Sequence, residues 1–437
     1  MTIIVAIVEG ATRDMFDAAS ALGRSPWWKE YCQDRPWQAL YCGPAPYEPS
    51  NLATAFTGTP RGEHGCFSYW HMTDPNGGRP GVLASSDVHR DWFWNWSELK
   101  GFRKAVVNVQ LTHPAREIEG SLVSYLMKQT LHFTHPPDLA QRLHREGLAF
   151  GHDVSAFYRG DGPQWLLDRA GKIASHQLDV GIRLGAEADI LIINLTLIDR
   201  ISHFFWQDFG AVSSLHEAPS PLLQAYAQVD SALARLHRLA DGDPMVVFSE
   251  IGFGPLDAFV SIDSLLEREG LLALDDNLQT VPGSAFVRET PQGSHGFVCR
   301  EGDGRRSPAL CNDAAEFLRS LRDEDGLPMF ASVWQAAEIY SGSKLSLAPD
   351  IVVEPSDPRR PPMGDRRWAN HVNRHLQTGW HRDQGFFQAL NFDPEYGPAF
   401  RLEDIAPTLA ALLGADAPEG IGGMAFGQRA HARLSVS

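Results

Sequence analysis

A 437-residue chain with a formal charge of -16 at pH 7 carries the wrong sign for nucleic acid or an anionic membrane surface, since both require a positive footprint. Its 43% hydrophobic and 21% charged residues exclude a disordered or fibrous polymer and allow a sizeable buried core. Five cysteines, Cys32, Cys42, Cys66, Cys299 and Cys311, form no C-x-x-C pair and are odd in number, which argues against a disulfide framework or zinc knuckle and for reduced thiols.

The opening residues, MTIIVAIVEG, are apolar but lack the basic segment of a signal peptide, and their β-branched run reads as a buried strand. No stretch reaches the length of a membrane span, so the expectation is a cytoplasmic protein acting on a small molecule, with neither nucleic acid nor membrane as partner. Further β-branched runs follow at 104–109, 189–195, 245–248 and 351–353, alternating with helical patterns. This is the rhythm of an α/β fold: a mostly parallel sheet with helices on both faces. Residues 221–239 have helical apolar spacing and feed the 245 strand, while 402–413 read as a late helix interrupted at Pro407. The expected organisation is one domain over 1–437, with 74–185 and 256–343 as cap insertions and turn-rich breaks at 74–80 and 355–363.

Ligands of such sheets bind where the strands end at their carboxyl edge. After the 189–195 run come Asp199 and His203, four residues apart and so on one face of any helix that begins there. A carboxylate and an imidazole together can hold a divalent ion, although a solvated helix face carries the same spacing. The 245 strand delivers Glu250 and the first strand delivers Glu9, followed by Gly10. Carboxylates in apolar surroundings are costly unless paired or metal-bound, so their recurrence at strand ends points to a cation site. A further imidazole, His381, lies in the turn-like segment GWHR. His371 and His375 share i, i+4 spacing but lack the His-Glu-x-x-His of a zincin, leaving a helix surface or, at His375, a substrate contact. The aromatic cluster Trp92, Phe93, Trp94 and Trp96 reads as core or cap packing, with a pocket lining as the alternative.

In their shared order these blocks resemble the type I phosphodiesterase and nucleotide pyrophosphatase branch of the alkaline phosphatase superfamily. IVEGATRDMF is similar to that family's opening strand with its acidic residue and glycine, and TGTPRGEHG to its threonine-glycine, proline, histidine-glycine loop. LIDRISHFFW resembles its Asp-Arg-gap-His block, VVFSEIGFGP its Ser-Asp-His-Gly turn, and APDIVVEP, GWHRDQGFF and EDIAPTLAALLG its closing blocks. The resemblance implies an alkaline-phosphatase-like sheet, two metal ions at its edge, often zinc, and a Thr or Ser nucleophile. Carried over residue by residue, the first ion's ligands are Asp199, His203 and His381. The second ion's fall on Glu9, Glu250 and Ile251, where the family has Asp, Asp and His, and isoleucine cannot bind metal. The nucleophile position falls on Glu48, with Ser50 and Thr54 close by as alternatives. Tyr69 stands where pyrophosphatase members carry an asparagine that touches the phosphoryl oxygen, and His64, in the loop motif, reads as structural.

These departures carry chemical consequences. Two divalent ions among four carboxylates make a nearly neutral centre, whereas phosphoryl transfer draws on excess positive charge. Glu9, Glu48 and Glu250 as oxygen ligands favour iron or manganese, with zinc as the alternative. A carboxylate poorly replaces an activated hydroxyl, so a covalent phosphatase mechanism is not expected. The leading expectation is a dinuclear hydrolase of a phosphoester or related ester that uses metal-bound water, with Glu48 as ligand or general base. A di-iron or di-manganese oxygen-dependent enzyme, by analogy of ligand count, and a noncatalytic binding relative are the alternatives.

Overall fold

All six residues of strand β1 (Ile3–Val8) are buried, and they divide by the period-2 rule between two cores. Ile4, Ala6 and Val8 pack with Leu184, Tyr226 and Leu233 beneath the helices Pro163–Gly185 and Pro221–Ala240. Ile3, Val5 and Ile7 pack with Phe56, Trp94 and Leu409, beneath the helices Glu48–Thr57 and Ile405–Leu412. A strand covered on both faces needs a continuous apolar run rather than an alternating one, as in IIVAIV. The computed structural model describes residues 1–72, 81–126, 130, 132–153, 158–207, 220–291, 293–363, 376–394 and 400–426.

The remaining strands, in chain order, are β2 (Gln38–Tyr41), β3 (Lys104–Val107), β4 (Gly120–Val123), β5 (Thr134–His135), β6 (Ile190–Leu195), β7 (Met245–Ser249), β8 (Gly252–Pro255), β9 (Phe286–Glu289), β10 (Gly296–Arg300), β11 (Phe330–Gln335), β12 (Ile351–Pro355), β13 (Gly379–Arg382) and β14 (Gln384–Leu390). Eight of them form the main sheet in the order β2-β14-β7-β1-β6-β3-β4-β5. Its centre, β7-β1-β6-β3-β4, is parallel, and antiparallel strands lie towards both edges. Val8 pairs with Leu195 and Ile7 with Phe248, so the chain leaves β1, β6 and β7 at one common edge. That register brings the residues just beyond these strands together.

Several expectations change in detail. The 104–109 run stops at Val107 because Asn108 turns to a φ of 63° and spends its amide on Gln177 and the Asn194 carbonyl. The 351–353 run joins the antiparallel sheet β11-β12-β10-β9, whose separate core includes Val287, Phe297, Val333, Ile351 and Val353. Pro407 does not interrupt the late helix, because it is the third residue of Ile405–Leu412, within the first turn, where no backbone N–H is required. Within 74–185, strands β3 to β5 lie in the main sheet, whereas most of the small sheet falls in 256–343. GWHR is not a turn: it forms β13, paired with β8 so that His381 stands opposite Phe253. Trp92 and Trp94 stack at 4.9 Å within the core under β1. All five cysteines are free thiols. Among the described residues no helix is long and apolar enough to cross a membrane.

The loop after the Glu48–Thr57 helix is held by His64. Its Nδ1 accepts from the Cys66 N–H at 3.1 Å and its Nε2 faces Thr54 Oγ1 at 2.9 Å, while that hydroxyl donates to the Ser50 carbonyl at 3.0 Å. Burial, with Arg61 adding, pushes the imidazole down to about 3. The folded state therefore binds fewer protons than the unfolded chain between pH 6.5 and about 3, and stability falls as the pH drops through that window. The loss from this one group is about 1.4 kcal/mol per pH unit. Urea unfolding between pH 7 and pH 4 should be steeper in pH for the wild type than for His64→Asn; parallel profiles would show that His64 is not the sensor.

Candidate metal centre

One residue, Thr196, separates β6 from the helix Leu197–Phe205. Leu197, Ile198, Ile201 and Phe204 face the core, which leaves Asp199 and His203, one turn apart, aimed at β13. Gly10 allows this close approach. It has a φ of +69°, and a Cβ there would lie 3.1 Å from the Asp199 Cα.

Asp199 Oδ1 lies 3.1 Å from His381 Nε2, and its Oδ2 lies 3.4 Å from His203 Nε2. Nδ1 of His381 is 3.1 Å from the Pro46 carbonyl, an acceptor, so this nitrogen carries the proton. That leaves Nε2 to the Asp199 carboxylate oxygen, a contact that a proton or a cation between the two atoms makes favourable. Backbone orientation of the second ring nitrogen is the usual support of a metal-binding histidine. The three donor atoms lie within 4.8 Å of one another, and all three residues are buried. Two imidazoles and one carboxylate fit a first-row divalent ion, zinc included. Burial works to raise the Asp199 carboxyl, but His203 and Arg200 outweigh it and hold it well below the usual carboxylate range.

The glutamates lie around this group without forming a second one. Glu9, fully buried, accepts from Gln110 at 2.7 Å and Asn194 at 2.6 Å on Oε2, and pairs with Arg200 Nη2 at 3.1 Å through Oε1. Burial pushes its carboxyl up to about 8 against the pull of Arg200. Both oxygens of buried Glu250 lack a hydrogen-bond partner among the described residues, and burial followed by Glu9 holds its carboxyl well above its ordinary value. Glu48 opens the Glu48–Thr57 helix with Oε2 3.5 Å from His381 Nδ1; burial raises its carboxyl while His381 opposes. Ile251 is buried and offers no donor. Among the described residues Asp199, His203 and His381 are the group that gathers three ligand atoms, and they fit one ion.

Glu9, Glu48, Asp199, His203, Glu250 and His381 thus meet at one edge, and the phenol of half-buried Tyr69 feels Asp153 and Glu48 beside them. His375 lies outside the described residues, as does His371. Five participants escape a reading of the sequence. Gln110 and Asn194 leave a faint signal, being amides at the ends of apolar runs. Arg200 sits inside the recognised block yet reads as a helix-surface residue, and Asp153 and Tyr125, which bind it, carry no signal of their own.

The order of these parts along the chain agrees with a family model described as type I phosphodiesterase / nucleotide pyrophosphatase, which matches residues 7–381, from the end of β1 to His381 itself. The chain belongs to that family. No curated protein sequence matches it. Solved structures share its alkaline-phosphatase-like fold. Phosphonoacetate hydrolase from Sinorhizobium meliloti 1021, in complex with phosphonoacetate, aligns at 18% identity over 95% of each chain with a TM-score of 0.62. Human ectonucleotide pyrophosphatase / phosphodiesterase 5 aligns at 12% identity over 96% of each chain with a TM-score of 0.57. The wild-type alkaline phosphatase PafA aligns at 11% identity over 97% of this chain and 98% of its own, with a TM-score of 0.61. At such identities the likeness is one of fold, and the family's chemistry must be sought in the site.

Proposed function

We propose that this chain is a metal-dependent hydrolase of phosphoesters, with Asp199, His203 and His381 holding the ion and Glu48 acting as general base towards water. The observation that carries the reading is the convergence of those three donors within 4.8 Å at the sheet edge, in a member of a phosphodiesterase family. A divalent ion there would supply Lewis acidity towards a phosphoryl oxygen.

The protein's own residues do the rest. Thr54 spends its hydroxyl on Ser50 and His64, and the helix start presents Glu48, so the site offers a carboxylate where the family has a hydroxyl nucleophile. Water then attacks phosphorus as its proton passes to a Glu48 oxygen, the ester P–O bond breaks with its electron pair on the departing alkoxide, and that alkoxide takes the proton back from Glu48 to leave as the alcohol. His381, held by Pro46 through Nδ1, keeps Nε2 turned to the centre. A single ion beside the Asp199 carboxylate leaves less positive charge than a pair of ions would, which suits a diester monoanion better than a monoester dianion.

Turnover of bis(p-nitrophenyl) phosphate and of p-nitrophenyl phosphate, after loading with zinc or manganese, tests this. The diester should be cleaved faster, and Glu48→Gln should lower kcat by about 100-fold to 10,000-fold at unchanged metal content. A metal-loaded protein inert towards both esters would overturn the assignment. No observation here favours the oxygen-dependent reading. A dinuclear carboxylate centre needs bridging glutamates, and Glu9 is already engaged by Gln110, Asn194 and Arg200.

A further inference from the structure

Arg200 follows Asp199 directly in the chain, yet its guanidinium is only 6% exposed and turned into the site. Its Nη1 bonds Asp199 Oδ2, its Nη2 pairs with Glu9 Oε1 at 3.1 Å, and its Nε donates to Asp153 Oδ2 at 2.6 Å. Tyr125 completes the cradle: its hydroxyl donates to Asp153 at 2.5 Å and accepts from Nη2 at 3.1 Å. A buried cation with three carboxylates and a phenol around it is a built feature, because an arginine in this setting without partners would be strongly disfavoured.

Glu9 is one of the carboxylates that the family resemblance assigns to a second metal ion, and Asp199, which shares Arg200 with it, is assigned to the first. The guanidinium holds Glu9 through Oε1 and Asp199 through Oδ2, the oxygen that also lies 3.4 Å from His203 Nε2. A divalent ion in contact with Glu9 Oε1 and Asp199 Oδ2 would have to displace Arg200 or lie against it, and two cations at such range repel strongly in a buried site. Of the remaining donors, Ile251 offers none and Glu9 Oε2 already accepts from Gln110 and Asn194, which leaves Glu250, with no hydrogen-bond partner among the described residues, as the carboxylate still free.

We infer that this centre is mononuclear, with the Arg200 guanidinium holding Glu9 and Asp199 in the place of a second metal ion. The inference rests on the assignment of Asp199, His203 and His381 as ligands of one ion. Arg200 is a positioning residue here: it is saturated by protein groups, and it acts by setting the placement and charge of Asp199. It also lowers the charge of the site, since one guanidinium contributes less than a divalent ion, which agrees with a substrate of single negative charge.

Metal content per chain tests this directly. The full-length protein is loaded with manganese or zinc, freed of excess by gel filtration, and assayed by inductively coupled plasma mass spectrometry. One ion per chain is expected. Two ions would overturn the inference while leaving the hydrolase reading intact, and none after loading would overturn both. In Arg200→Ala the carboxylates of Glu9 and Asp199 are released and join the unpartnered oxygens of Glu250, so manganese content should double to two per chain, and added manganese should raise the melting temperature further than in the wild type. Arg200→Lys keeps a positive charge and should remain at one ion. If Arg200→Ala stays at one ion with no added thermal rescue, or Arg200→Lys takes up two, the guanidinium does not stand in an ion's place; if Arg200→Ala fails to fold, the wild-type count and the lysine variant still decide.

Discussion

Replacing Asp199 with asparagine is expected to release the metal ion and to lower kcat/KM towards a phosphodiester by more than about 100-fold, since even groups standing behind a metal ligand act over that range. Asp199 is the hub of the site. It faces His203 at 3.4 Å and His381 at 3.1 Å, and it also pairs with Arg200. The amide removes the charge that balances the ion while preserving the shape of the side chain, so loss of metal separates from loss of fold. Metal content and circular dichroism on the same sample check the point. A variant that keeps both its ion and its turnover would remove Asp199 from the centre.

The second large effect is on stability and arises behind the site. Asp153→Ala takes away the carboxylate that binds Arg200 Nε at 2.6 Å and receives the Tyr125 hydroxyl, leaving a buried guanidinium short of a partner. Breaking a buried pair from one side costs about 3–5 kcal/mol, because the abandoned charge keeps its desolvation penalty. Asp153→Asn should cost less, since its carbonyl oxygen still accepts from Nε. Removing Asp179 from its half-exposed pair with Arg235 should cost under about 1 kcal/mol, because solvent screens that interaction. Urea denaturation of the three variants measures the order. If Asp153→Ala costs no more than the surface variant, the buried network contributes little to folding.

The two predictions draw on different kinds of information. Asp199 and His203 are legible in the sequence because helix geometry puts residues four apart on one face, and the apolar run before them marks a strand that must end there. Glu9 and Glu250 are legible for a related reason: an acidic residue directly after a buried strand lies at the sheet edge where ligands bind. His381 rests on resemblance alone. Its strand, GWHR, has too little alternation to announce itself and forms only because β8 lies beside it. Asp153 stands 47 residues before Arg200 and belongs to no periodic pattern.

The α/β plan, the parallel run of its central strands and the placing of Asp199, His203, Glu9 and Glu250 at one sheet edge follow from local patterns: apolar runs, helical spacing and what stands at a strand's end. The number of ions is another matter. Counting donors along the chain gives four carboxylates and two imidazoles, and two metals. Tertiary structure decides that Glu9 faces Gln110, Asn194 and Arg200, and that Asp199 shares an oxygen with the same guanidinium. A ligand set is a property of positions in space and of the charge each donor already balances. Neither is visible until separate stretches of chain fold against one edge.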